Sequence, residues 1–235
     1  MSAEPLLQLC SVSKSFNGLA AVNDVSFAMR RGEVVGLVGP NGSGKTTTIN
    51  LISGITAVDS GRILLEGQSI ERRRPFRRVQ LGINRTFQVP KPFRDMTVAE
   101  NIEVALEFSE RDGADAECIL TDLGLAAQRN KLARSLTVCQ QKMLDLGRAL
   151  ATSPQLLLID EIGAGLNPSE LRDIADLLIR LSRRGTALVV VEHLLNFVNR
   201  ITDHVIVLNA GVTLFEGTLQ AASADSDVIA AFLGG

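Results

Sequence analysis

Tryptophan and tyrosine are absent from this 235-residue sequence, and phenylalanine numbers only 9. Single-stranded nucleic acids stack their bases on aromatic rings, so such platforms are few here. A basic excess is missing as well. The 24 lysines and arginines face 26 acidic residues, a formal net charge of -2, and no global positive field is available to hold a phosphate backbone. Cysteine is scarce: Cys10, Cys118 and Cys139 are odd in number, far apart and without a C-x-x-C pair. That excludes a disulfide scaffold and fits a reducing compartment, with the three thiols expected as small core residues. No apolar run approaches the roughly 18 residues that cross a bilayer. The acidic start Met1–Pro5 lacks the basic-then-apolar order of a signal peptide, so the chain is expected to stay in the cytoplasm.

What remains is a chain of a length that one α/β domain can fill. Leu6–Arg30 reads as two or three extended pieces with turn signals at Asn17-Gly18 and Asn23-Asp24, an antiparallel β layer. Glu33–Val38 is an apolar strand entering a glycine-rich loop, and Thr46–Ser53 continues as a helix stopped by Gly54. Strand-like pieces follow at Gly61–Glu66 and Gly82–Phe87, on either side of the arginine-rich stretch Glu71–Arg78. Thr97–Phe108 and Ala116–Leu123 have helical spacing around a polar linker, Ser109–Asp115, so an all-helical insert is expected over 89–135. From Gln140 the pattern alternates: helix to Thr152, strand Gln155–Asp160, helix Ser169–Arg184, strand Thr186–Val191, helix Leu194–Ile201, strand Val205–Leu208. Such βα alternation predicts a parallel sheet covered on both faces.

Gly39-Pro40-Asn41-Gly42-Ser43-Gly44-Lys45-Thr46 matches G-x-x-x-x-G-K-[ST] between the strand and the helix. Glycines let successive backbone N–H groups curl inward toward phosphate, and the helix N-terminus behind them favours the same charge. Lys45 is expected at the β- and γ-phosphates and Thr46 at a Mg²⁺ ion, with Thr47 completing the nucleotide contacts. Downstream, Leu156–Asp160 is an apolar strand that delivers Asp160 and Glu161 at its carboxyl end, where open α/β sheets bind ligands. Asp160 is expected to hold the magnesium shell and Glu161 to polarise the attacking water as general base.

The ordered set of motifs resembles the ATP-binding subunits of ABC transporters over essentially the whole chain. It comprises Phe16 before the loop, Gln88 in Arg85-Thr86-Phe87-Gln88, the helical insert, Leu136–Gln141 at a helix start, Asp160-Glu161, Ala164–Asn167, and His193 after Val189-Val190-Val191-Glu192. The resemblance implies an α/β fold, a P-loop ABC ATPase domain with an antiparallel β layer and a helical subdomain, taking up residues 1–235. It implies that Phe16 stacks on adenine, that Gln88 completes the Mg²⁺ and water shell, and that His193 contacts the γ-phosphate. ATP and Mg²⁺ are the implied ligands, membrane permease subunits and a second ATPase subunit the implied partners, and the inner face of the cell membrane the implied location. No nucleic-acid partner is expected, and neither the two ATPase halves nor the long coiled-coil insertions of ribosome- or DNA-acting relatives are present.

The loop that reads L-S-G-G-Q in this family is here Leu136-Thr137-Val138-Cys139-Gln140. Val138 and Cys139 replace glycines whose missing side chains let backbone approach the opposite subunit's phosphate. Asn167 replaces a usual Asp and Ile162 a frequent Pro. One reading is a heterodimer in which a partner supplies the active signature. The other is a working homodimer in which the helix starting near Gln140 supplies enough N–H donors. Gly82–Gln88, Phe93–Asn101, Gly165–Pro168 and Val191–His193 resemble the branched-chain amino acid importer subfamily, in which two different ATPase subunits serve two permeases. Close relatives in that subfamily move urea or short amides. The arginines Arg72, Arg73, Arg74, Arg77 and Arg78 are read as a solvated helix face, or as a contact to headgroups or a permease loop.

Overall fold

The computed structural model describes residues 4–109 and 115–233, so most of the expected linker Ser109–Asp115 lies outside the described residues. Strands β1 (Leu7–Phe16) and β2 (Leu19–Met29) pair antiparallel. Their turn puts Asn17 and Gly18 at φ 49 and 84, the left-handed pair that matches the twist of a two-residue hairpin. Next comes β3 (Val34–Val38), five buried residues, then the glycine loop and α1 (Lys45–Ser53), which Gly54 ends in the left-handed region. Strands β4 (Ser60–Leu65) and β5 (Gln68–Ser69) return to the hairpin and complete an antiparallel sheet of order β2-β1-β4-β5.

Helix α2 (Pro75–Gln80) and strand β6 (Ile83–Arg85) precede a helical segment. In it, α3 (Val98–Glu107) starts from a capping box between Thr97 and Glu100, and α4 (Ala116–Asp122) starts from Asp115. Short 3-10 turns at Ala126–Gln128 and Ala133–Ser135 lead to α5 (Val138–Leu150). Helix α5 begins two residues before the expected Gln140, because Thr137 and Gln140 close a capping box around its first turn. The alternation continues through β7 (Leu156–Asp160), α6 (Pro168–Arg183), β8 (Ala187–Val191), α7 (Leu195–Ile201) and β9 (His204–Asn209).

The second sheet has the order β10-β9-β3-β8-β7-β6. Five of its strands are parallel, as the βα pattern predicts, while β10 (Val212–Gly217) runs antiparallel at the edge. β10 and the short helices α8 (Leu219–Ala222) and α9 (Ser226–Leu233) have no counterpart in the sequence reading. The strand carries no continuous apolar run, since none of its residues is fully buried, and it follows a tight turn at Ala210-Gly211.

Alternate residues of the parallel strands feed two separate cores. Leu156, Leu158, Val189 and Val191 pack with α1 and the antiparallel sheet. Leu157, Ile159, Leu188 and Val190 pack with α5, α6 and the helical segment. A strand buried on both faces must be apolar at every position, which is why Leu156–Ile159 reads as an unbroken run. The cysteines correct the sequence reading: Cys118 is exposed, and Cys10 and Cys139 are half-buried, so none is a core residue. Cys118 and Cys139 sit in the first turns of α4 and α5, off the buried face of each helix.

The arginine stretch divides in two. Arg72, Arg73, Arg74 and Arg77 are exposed, whereas Arg78 is 1% exposed. Its Nη1 donates to the carbonyls of Leu51 and Ile52 at 2.6 and 2.8 Å, and Nη2 and Nε donate to Glu71 and Arg73 carbonyls at 3.0 Å. Leu51 and Ile52 belong to the last turn of α1, so the cation neutralises the negative end of the P-loop helix. Burial lowers the guanidinium pKa to about 10, still fully charged at neutral pH. Arg78→Met removes the side-chain donors from these carbonyls, of which Leu51 keeps the Gly54 N–H at 3.2 Å, and should cost about 2–4 kcal/mol in urea unfolding, against about 0.5 kcal/mol or less for Arg72→Met. Equal midpoints for the two variants would refute the cap.

Candidate functional site

Four neighbouring parallel strands, β3, β8, β7 and β6, end at the same edge of the sheet, and each end carries part of the site. After β3 comes the phosphate loop. Gly39 stands at φ 146, and a Cβ there would lie 2.1 Å from the Leu208 carbonyl oxygen; one on Gly44 (φ 105) would lie 2.5 Å from that of Ala21. Only glycine lets the loop sit this close to β9 and β2. Gly44 caps α1 without any side-chain bond, and no acidic residue occupies the first turn. The helix N-terminus therefore keeps unsatisfied N–H donors and an uncompensated positive dipole end. The Ser43 hydroxyl is buried and has no partner among the described residues, an orphan that an anionic ligand in the loop would satisfy.

Lys45 is 6% exposed, and its ammonium donates to the Gly39 and Pro40 carbonyls at 2.8 Å each. Burial lowers its pKa, opposed by the nearby Glu161 and Asp160. A cleft of about 250 Å³ brings together Asn41, Gly42, Ser43, Gly44, Lys45, Thr46 and Thr47 with Glu161 and His193. The phosphate loop and Glu161 with His193, more than a hundred residues apart in the chain, meet here.

Glu161 Oε2 accepts from Gln88 Nε2 at 2.6 Å, and Oε1 lies 2.8 Å from His193 Nε2. Its backbone adopts φ 49, a left-handed conformation that costs a non-glycine residue about 1–2 kcal/mol. The preceding Asp160 is 4% exposed and accepts from Arg85 Nη2 at 3.2 Å. Burial raises the Asp160 pKa and the Arg85 cation opposes that rise. Arg85 also donates through Nη1 to Asn50 Oδ1 at 2.5 Å, bridging β7 to α1. Sequence reasoning gave no role to Arg85, Asn50, Lys142 or Glu192. A charged or amide side chain at those positions is silent about its partner.

Gly39, Pro40, Gln88 and Asp160 do not line the cleft themselves; Gly39 and Pro40 reach it through Lys45 and Gln88 through Glu161, while two other predicted groups stand apart from it. Phe16 does not line it; the ring is 48% exposed at the end of β1, with Lys14 Nζ 5.3 Å from its centroid. None of Leu136, Thr137, Val138, Cys139 and Gln140 lines it either. Thr137 caps α5 and Leu136 is buried, while Val138 is 61% exposed. Cys139 lies half-buried beside Glu170, and burial pushes its thiol up to about 11. Asn167 caps α6 through bonds from Ser169 and Glu170 backbone N–H at 2.9 and 3.0 Å, work that asparagine does as well as aspartate. His204 Nδ1 lies 3.1 Å from Glu33 Oε1, apart from the cleft.

The donor set suits a small hard cation held mainly by phosphate oxygens. No group of three or more His, Cys, Asp or Glu side chains converges among the described residues. One carboxylate and one hydroxyl beside a phosphate loop are the ligands magnesium takes in nucleotide sites.

The sequence profile of the ABC transporter family matches residues 22–164. The branched-chain amino acid transport ATP-binding protein LivG of Salmonella typhimurium is 34% identical, with 99% of each chain covered. Among solved structures, the ADP conformation of an ATP-binding cassette of an ABC transporter superposes with a TM-score of 0.88 at 31% identity, covering 99% of this chain and 100% of the other. A dimeric post-hydrolysis cassette bound to ADP and Pi gives 0.82 at 25% identity, covering 91% and 98%. With a family match over more than half of the chain and a relative aligned from end to end, the protein belongs to the ABC transporter family as an ATP-binding, ATP-hydrolysing subunit.

Proposed function

We propose that this subunit powers an importer of branched-chain amino acids or related amides, pairing with a different ATPase subunit beneath two membrane permeases. The cargo reading rests on end-to-end similarity to LivG. The observation that carries the chemistry is that Glu161 and His193 line the cleft of the phosphate loop in contact with each other, while Gln88 holds the second oxygen of Glu161. No helix among the described residues is long and apolar enough to cross a membrane, so a permease-bound position on the cytoplasmic face is the location this function requires.

In this reading the triphosphate lies along the loop amides and the α1 N-terminus, and Lys45 exchanges the Gly39 and Pro40 carbonyls for the β- and γ-phosphates. Glu161 accepts the proton of the water that attacks the γ-phosphorus. Gln88 and His193 fix its two carboxylate oxygens, so its lone pairs are aimed before the water arrives. Thr46, Asp160 and the Gln88 carbonyl would hold Mg²⁺, which supplies charge neutralisation on the transferring phosphoryl group. Arg85 keeps Asp160 at the end of β7 for that role. Phe16, exposed near the tip of the β1–β2 hairpin, is the adenine platform. The reading includes residues 89–135 as the helical subdomain of a single ATPase domain.

Pairing with a second ATPase is supported by the side chains that Val138 and Cys139 place at the start of α5, where the family has glycines. Glu161→Gln should lower turnover by about 10²-fold or more while leaving equilibrium ATP affinity within about threefold. Loss of binding in that variant would show that Glu161 belongs to the binding set instead. Mixing the purified chain with the ATPase subunit encoded beside it should raise hydrolysis well above the sum of the two alone. Full activity of the chain by itself, rising as the square of its concentration, would establish a homodimer and an unimpaired signature loop.

A further inference from the structure

The backbone that carries Glu161 is held by a buried pair of opposite charges that phosphate chemistry does not use. Lys142, in the second turn of α5, is 6% exposed. Its ammonium donates to the carbonyls of Glu161, Ile162 and Ala164 at 3.2, 2.9 and 2.7 Å. Three carbonyls use all three of its hydrogens, which lets a charge remain in so dry a place. From the end of β8, Glu192, 3% exposed, accepts the Gly163 N–H through Oε1 at 2.6 Å. Polar groups of four successive residues, 161 to 164, are thus pinned by side chains from two elements remote in sequence.

The turn needs that support. Glu161 is left-handed at φ 49, and Ile162 carries no ring to restrict the chain after it. A strained residue persists only where its surroundings over-determine it. With the carbonyls released, rotation at Glu161 toward negative φ swings the carboxylate away from Gln88 and His193. Helix α5 reaches the other side of the site as well. Asp145, three residues after Lys142, accepts the Phe87 N–H at 3.0 Å, next to Gln88. One helix therefore holds the backbone of Glu161 and that of the residue before Gln88, and the side chains of Glu161 and Gln88 touch each other at 2.6 Å.

We propose that Lys142, assisted by Glu192, is a positioning residue for the hydrolytic Glu161, holding the 161–164 turn so that the carboxylate faces the γ-phosphate. The proposal rests on the reading of Glu161 as the base. It also makes the start of α5, where Thr137–Gln140 would meet a partner subunit, rigidly continuous with the base of its own subunit.

The test is steady-state hydrolysis and equilibrium ATP binding of the full-length chain in its active ATPase assembly, with Lys142→Met, Lys142→Arg, Glu161→Gln and the Lys142→Met/Glu161→Gln double variant. Lys142→Met should lower kcat by about tenfold or more with KM and ATP affinity within about twofold, and Lys142→Arg should recover most of the loss. In the Glu161→Gln background, Lys142→Met should cause no further loss, because a residue acting only through Glu161 has nothing left to position. Wild-type kcat in Lys142→Met, or an undiminished loss in the Glu161→Gln background, overturns the proposal. Should Lys142→Met fail to show a cooperative thermal transition, Glu192→Leu replaces it, with the same fall in kcat at constant affinity expected and wild-type kcat refuting. Wild-type turnover in Glu161→Gln alone would overturn the base assignment itself, an outcome read separately from the lysine variants.

Discussion

Register within the parallel sheet is the constraint on which the rest depends. Asp160 of β7 lies opposite Val191 of β8, and Leu37 of β3 lies opposite the same Val191. The chain therefore leaves three strands at nearly one level, as the phosphate loop, as Glu161 and as Glu192-His193. Side chains alternate along a strand, so a slip of one residue would send Leu157 and Ile159 to the wrong core. It would also point Asp160 away from the loop. Two distinct apolar cores, one on each face of β7 and β8, forbid that slip. The chemistry thus inherits its alignment from packing.

Buried charge does the finer placement. Arg85 ties β7 to α1 through Asp160 and Asn50, Arg78 caps the far end of α1, and Lys142 with Glu192 grips the turn after Asp160. Each cation is paired mainly with backbone carbonyls or with a single acid, so its donors are used without a mobile surface partner. Such bonds hold a loop more sharply than apolar contact, because a misplaced carbonyl leaves both partners unpaired in a dry interior. The P-loop helix is held from both sides in this way, by glycines that permit close approach at its start and by a guanidinium at its end.

The substituted signature loop shows that helix formation and phosphate contact are separable demands on one segment. Thr137 and Gln140 still build a full capping box, so α5 starts as firmly as a glycine-bearing loop would allow. In the proposed reading the family's glycines serve a different end, the approach of another subunit's nucleotide. Asn167 is similar: it closes the capping box of α6 where the family has aspartate.

The phosphate loop, the acidic pair and the order of βα units were legible from residue types and spacing, because glycine φ freedom, strand alternation and helix capping are local properties of the chain. The antiparallel edge strand β10 and helices α8 and α9 were not, since a half-buried edge segment has no strong period. Arg78 could not be separated from its exposed neighbours by composition, for all its partners are backbone carbonyls, two of them twenty-six and twenty-seven residues earlier. The roles of Lys142, Glu192 and Arg85 were likewise decided by tertiary structure. A backbone carbonyl carries no sequence signature, and which one a buried charge meets is settled only when the elements pack.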